Sequence, residues 1–172
     1  MTQTTKVKIV TGKVRFSYAN LFAPKASVEG GTPKYSVSII IPKTDKETIA
    51  KLQKAFDDTK TAAAAYFGGS VPKNLKGGLR DGDLEKDDPA YAGCYFINAN
   101  SVQKPGVVDA DLNPILDQLE FYSGCYGRAS ITFYPYNAQG SKGIACGLNN
   151  VQKMEDGEKL GGTTNAAADF AV

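Results

Sequence analysis

Residues 124–137 read GCYGRASITFYPYN, and the two-residue period of that stretch decides the class of the fold. Cys125, Gly127, Ala129, Ile131 and Phe133 fall on one side, graded from small to large, as a core-facing strand requires. Tyr126, Arg128, Ser130, Thr132, Tyr134 and Tyr136 fall on the other. An ordinary solvent face is richer in Lys and Glu. Tyrosines, an arginine and two hydroxyls suit either a half-buried face or one that meets something flat and charged.

Working outward, residues 144–153, IACGLNNVQK, form the hairpin partner across the turn NAQGSKG. Ile144, Cys146 and Leu148 share one face, and Gly143, Ala145, Gly147 and Asn149 the other. Upstream, YAGCYFINANSV (91–102) reads as a strand, and 102–118 as an irregular loop with a short turn of helix. KYSVSIIIPK (34–43) is a strand with Tyr35, Val37, Ile39 and Ile41 inward and Lys34, Ser36 and Ser38 outward. The opening segment 6–18, KVKIVTGKVRFSY, alternates but changes register at Gly12, where a bulge would keep Val7, Ile9, Val14, Phe16 and Tyr18 on one face.

One helix is expected, between the second and third strands. Thr44 and Glu47 have capping-box spacing, Asp45 adds a first-turn carboxylate, and Gly68 and Gly69 end the helix. Ile49, Leu52, Phe56, Thr59, Ala63 and Tyr66 make its apolar stripe. Residues 70–93 form a long polar connection, of a length usually functional or mobile in a compact domain. The expected architecture is mainly β: a five-stranded antiparallel barrel, open or closed, with this helix and long loops. Residues 1–154 form one domain and residues 155–172 a flexible C-terminal tail.

Composition narrows the function classes. The 172 residues carry 42% hydrophobic and 22% charged side chains, which places the chain among soluble globular domains. No apolar run approaches the roughly 20 residues of a membrane helix. The N-terminus MTQTTKVKIV lacks a secretory signal's apolar stretch, so an intracellular location is expected. There is no histidine, which removes the commonest general base. Cys94, Cys125 and Cys146 form no C-x-x-C pair and read as buried thiols, so neither metal nor cofactor is expected. The acidic run Asp81, Asp83, Glu85, Asp87 and Asp88 lacks calcium-loop order and reads as a solvated loop.

Net charge is only +2, but the charges are segregated: seven lysines and arginines precede residue 44 after the first five residues, against the single acid Glu29. Lys13, Arg15, Lys34, Tyr126, Arg128 and Tyr134 fall on the outer faces of three expected strands. If those strands adjoin, they make the mixed cationic and aromatic surface that single-stranded nucleic acid requires. A protein-interaction face is the rival, because strand surfaces also carry Lys and Tyr for propensity alone. An enzyme is disfavoured.

The order DGD, DPAYAGCYFINANS, KPGVVD, FYSGCYGRASITFYPYN and GIACGLNNVQK, with KVRFSYANLFAP and KYSVSIIIPK before it, resembles a bacteriophage single-stranded DNA-binding protein family. That family is similar in fold to the single-stranded DNA-binding protein of T7-like phages, and the likeness spans about residues 7–154. It implies an OB-fold and a role in coating exposed strands in phage DNA replication, recombination or repair, in the cytoplasm of the infected host. On that reading Tyr126, Arg128, Tyr134 and Tyr136 contact DNA, with Lys13, Arg15 and Lys34 tracking phosphate. Lys73, Lys76 and Arg80 would reach in from a flap. A tail with an acidic and aromatic end would recruit replication or recombination proteins; here that end is sparse, Asp169 and Phe170. The alternative is a phage structural or adaptor protein that binds no nucleic acid. Oligomeric state is left open.

Overall fold

The structure, a computed structural model, describes residues 6–26, 30–138 and 141–160. Asp169 and Phe170 lie outside them. The long alternating hairpin forms as its period demands: β7 (Tyr126–Ala138) and β8 (Ser141–Glu155) pair antiparallel, with Phe133 opposite Cys146 and Ile131 opposite Leu148. Cys125, Ala129, Ile131 and Phe133 are buried, as are Ile144, Cys146 and Leu148. The register slips between Ser130 and Ile131, and Asn149 is the extra residue of a bulge. Its amide donates to Thr132 Oγ1 at 2.8 Å, which ties the bulge to the neighbouring strand.

Six further strands complete an eight-stranded sheet among the described residues: β1 (Val7–Val10), β2 (Val14–Lys25), β3 (Lys34–Pro42), β4 (Arg80–Asp81), β5 (Cys94–Ser101) and β6 (Gly106–Val108). The pairings return on themselves. β7 pairs with β2, β2 with β3, β3 with β5, β5 with β8, and β8 again with β7. β1 flanks β7, and β6 flanks β8. The ring corrects one expectation: β5 and β6 meet β8 in parallel, not antiparallel. The chain between them supplies the long crossover that parallel neighbours need.

Helix α1 (Lys46–Ala62) packs against β1, β7 and β8, burying Thr48, Leu52, Ala55 and Thr59. Its cap is Asp45 rather than Thr44: the Asp45 carboxylate accepts from the Thr48 N–H at 3.2 Å, while the Thr48 hydroxyl accepts from the Gly12 N–H. The helix ends at Ala62, so Tyr66 falls beyond it and stays exposed. Phe56 meets Phe133 edge-on at 5.9 Å, joining helix to hairpin.

Several other expectations change. The opening segment is two strands rather than one bulged strand, because β1 pairs with β7 while β2 also pairs with β3. Tyr18 is exposed, since β2 shifts register between Ser17 and Asn20 and turns it outward. Residues 80–91 contain β4, α2 (Gly82–Glu85) and a 3-10 turn (Pro89–Tyr91) instead of an unstructured loop. Where a helical turn was expected after Val102, the chain forms β6. Ser38 is buried, because Tyr91 covers the outer side of β3 and donates to Ser38 Oγ at 2.8 Å. Ile40, Tyr91 and Phe96 form a small second core there.

On the outer side of β8, Gly143 lies opposite Tyr136, and a Cβ at that position would stand 2.7 Å from both the Tyr136 ring and the Lys76 carbonyl oxygen. Only glycine lets the ring and the residue 76–78 segment approach together. Lys76 N–H donates to the Lys142 carbonyl at 3.1 Å, and Ile144 N–H to the Lys76 carbonyl at 2.9 Å.

Two substitutions test these supports. Asp45→Ala is expected to lower unfolding free energy by about 1 kcal/mol in urea titrations, the ordinary cost of a lost N-cap. Gly143→Ala is expected to cost about 1–3 kcal/mol by overpacking. It should speed amide exchange at Lys76 and Ile144 while sparing the β2–β3 ladder.

Candidate nucleic-acid interface

The join between β5 and β8 is thin. The two strands pair at a single position, Asn100 with Gly147, and a groove opens beside it. One part, of about 490 Å3, is floored by Ile97, Ile144 and Cys146 and walled by Asn98, Tyr134, Tyr136, Gly77, Gly78 and Arg80. The other, of about 390 Å3, is lined by Lys6, Ser101, Thr132, Gly147 and Asn149. Lys34, Asn100 and Tyr134 belong to both, so the two parts are continuous.

The tyrosines reach this groove because β7 alternates and β8 is small beneath them. Tyr136 rests on Gly143, and the Tyr134 ring would stand 3.2 Å from a Cβ on Gly147. Both rings are half-buried. Such rings, with cations on either side and amides between, can stack on bases while the cations meet phosphate. Among the described residues, Lys6, Lys34 and Arg80 are the charged residues lining the groove, and no carboxylate joins them.

The acidic segment next to the groove is engaged internally. Asp81 and Asp83 each meet Lys43 at 2.8 Å. Hydrogen bonds to Asp81 and Asp83 raise the Lys43 pKa; the bond from Lys43, then the Gly93 N–H, lower that of Asp83. Arg80 pairs with Glu85 at 2.8 Å and holds that carboxyl below its ordinary range. Its guanidinium also lies 4.9 Å from the Phe96 ring centre. Asp88 accepts from the Ala90 N–H. Burial pushes the Cys146 thiol up, so the sulfur under the groove stays protonated.

The residues expected from sequence divide among several places. Lys34, Arg80, Tyr134 and Tyr136 come together in the groove. Lys76 stands at its rim through its backbone pairing with β8, its side chain exposed, and Lys73 is exposed in the approach to that segment. Lys13, Arg15 and Tyr126 line a separate cleft of about 380 Å3 with Ile40, Pro42, Pro89 and Cys94. There Lys13 and Arg15 lie 5.5 and 5.3 Å from the Tyr126 ring centre. Lys13 pairs with Glu155, and Arg15 donates to the Gly124 and Glu158 carbonyls at 3.1 and 2.7 Å. Arg128 is exposed and donates from Nε to the Thr11 carbonyl at 3.1 Å. Eight residues of strand, roughly 26 Å, separate Tyr126 from Tyr134.

Sequence reasoning missed Asn98, Asn100 and Lys6 as groove residues. The signal for the asparagines was present in the alternation of INANS, which puts both on the outer face of β5.

Comparisons with known proteins bear on the family and the fold. The profile of the family described as "Enterobacter phage Enc34, ssDNA-binding protein" matches residues 7–172. The protein p50 of Acyrthosiphon pisum secondary endosymbiont phage 1 is 30% identical over 166 residues, covering 91% of this chain and 88% of that one. The single-stranded DNA-binding protein of bacteriophage Enc34, solved in complex with ssDNA, superposes with a TM-score of 0.74 at 26% identity, over 90% of this chain and 89% of that one. The single-stranded DNA-binding protein gp2.5 of bacteriophage T7 shares the fold, with a TM-score of 0.65 at 16% identity over 97% and 96% of the two chains. By its match over nearly its whole length, this chain belongs to the Enc34 ssDNA-binding protein family.

Proposed function

We propose that this protein binds single-stranded DNA along the groove between β5 and β8 and coats exposed strands during phage DNA replication, recombination or repair. Binding is largely independent of sequence and needs no chemistry on the strand, so the protein acts as a binder rather than an enzyme, in the cytoplasm of the infected bacterium. The observation that carries this reading is the continuous groove in which Tyr134 and Tyr136 lie between Lys6, Lys34 and Arg80. The Enc34 relative solved with ssDNA supports it.

Within this reading Lys34, Arg80, Tyr134 and Tyr136 make the central contacts. Lys73, Lys76, Lys13, Arg15, Tyr126 and Arg128 serve longer strands that continue past the groove. Residues 1–154 act as the DNA-binding domain, and residues 155–172 as a tail whose first part, through Leu160, packs on the domain and whose end near Asp169 and Phe170 recruits replication or recombination proteins.

With nine tyrosines and no tryptophan, binding is readable as tyrosine fluorescence quenching by oligo-dT across a salt series. Each phosphate neutralised should contribute about 0.7 to the slope of log affinity against log salt. Lys34→Ala and Arg80→Ala should each flatten the slope by about that amount. Tyr134→Ala should cost about 1–3 kcal/mol with the slope kept. Arg128→Ala should cost less than any of these. Absence of quenching and of any salt-dependent binding would sink the proposal.

A further inference from the structure

Tyr18 sits where a tyrosine is least expected. It lies in β2 at φ +47°, the left-handed region that bulky side chains avoid, and 60% of its surface is exposed. Neighbours hold that conformation. The Asn20 amide donates to the Tyr18 carbonyl at 3.2 Å, and the Ala19 N–H donates to Ser123 Oγ at 3.1 Å. A strained backbone so held, presenting a large aromatic ring to solvent, is the kind of outlier that clusters at binding sites.

The ring is connected to the groove. The Lys86 ammonium lies 5.5 Å from the Tyr18 ring centre and 5.3 Å from that of Phe96, and the Arg80 guanidinium lies 4.9 Å from Phe96. Arg80 lines the groove. Arg80 and Lys86 both sit on the buried Phe96 ring, which links the groove wall to the Lys86 that meets Tyr18. Beyond Arg80 the acids Asp81, Asp83, Glu85, Asp87 and Asp88 outnumber the cations Lys43 and Lys86, and Lys43 already carries two carboxylate partners. The surface there is poor for phosphate and suited to a base.

We propose that Tyr18 is a base-stacking platform beyond the Arg80 end of the groove, its ring oriented by Lys86, used by strands long enough to pass Arg80. The proposal rests on the groove reading and extends it. It assigns stacking, not charge neutralisation, to this end of the path.

The test measures affinity for oligo-dT over lengths from about 4 to about 16 nucleotides, the span of OB-fold site sizes. The proteins compared are the parent, Tyr18→Ala, Tyr18→Asn and Tyr134→Ala. Asparagine tolerates the left-handed conformation, so that variant stays informative if alanine disturbs the strand. Both Tyr18 variants should bind the shortest oligonucleotides like the parent and the longest roughly 5- to 150-fold more weakly, with an unchanged salt slope. Equal affinity at every length, or an equal loss at every length, overturns the platform. Tyr134→Ala should lose affinity at all lengths. If it loses none, the groove reading fails, and the platform fails with it as an extension of the groove; loss by Tyr134→Ala at all lengths with no change in the Tyr18 variants overturns the platform alone.

Discussion

The ladder between β7 and β8 is the constraint on which the rest of the molecule depends. It is long, its register is set by alternation on both strands, and it carries the inner wall of the core from Cys125 to Phe133 and from Ile144 to Val151. A slip of one residue would turn that wall to solvent and bring the tyrosines inside. On its other edge β8 is far less paired. β5 meets β8 at one pair, Asn100 with Gly147, and the groove occupies the space that a full ladder would fill.

The same division explains what could be read from sequence. Alternation is local, so the two faces of β7 were visible in fourteen residues and those of β8 in ten, as the apolar stripe of α1 was through Leu52 and Phe56. Face, however, is not position. Tyr126 and Tyr134 share a face of one strand yet serve different clefts, because a strand of this length crosses much of the molecule. Lys13 and Arg15 were grouped with Lys34 for the same reason, and only the pairing order separates them. Tyr18 and Ser38 were misplaced by non-local effects: a register shift against β3 turned one outward, and Tyr91, more than fifty residues downstream, covered the other.

Charge shows a parallel lesson. A run such as DGDLEKDD looks like a repulsive neighbour for DNA, or a cation site, when seen as sequence. Folded, Asp81 and Asp83 secure Lys43, Glu85 secures Arg80, and Asp88 caps a turn. These contacts lie at the surface, where individual ion pairs stabilise little. Their effect is geometric: they fix the short β4 and α2 elements that set the Arg80 side of the groove.

The floor of the groove has an evolutionary consequence. Ile97, Ile144 and Cys146 belong to the core and also line the groove, so on the proposed reading selection for stability and selection for binding fall on the same side chains. Change there is penalised twice. The rim residues Lys6, Lys34, Asn98 and Asn100 carry no such double burden. Divergence among relatives in strand preference or affinity should therefore accumulate at the rim, leaving the floor as the slowly changing record of the fold.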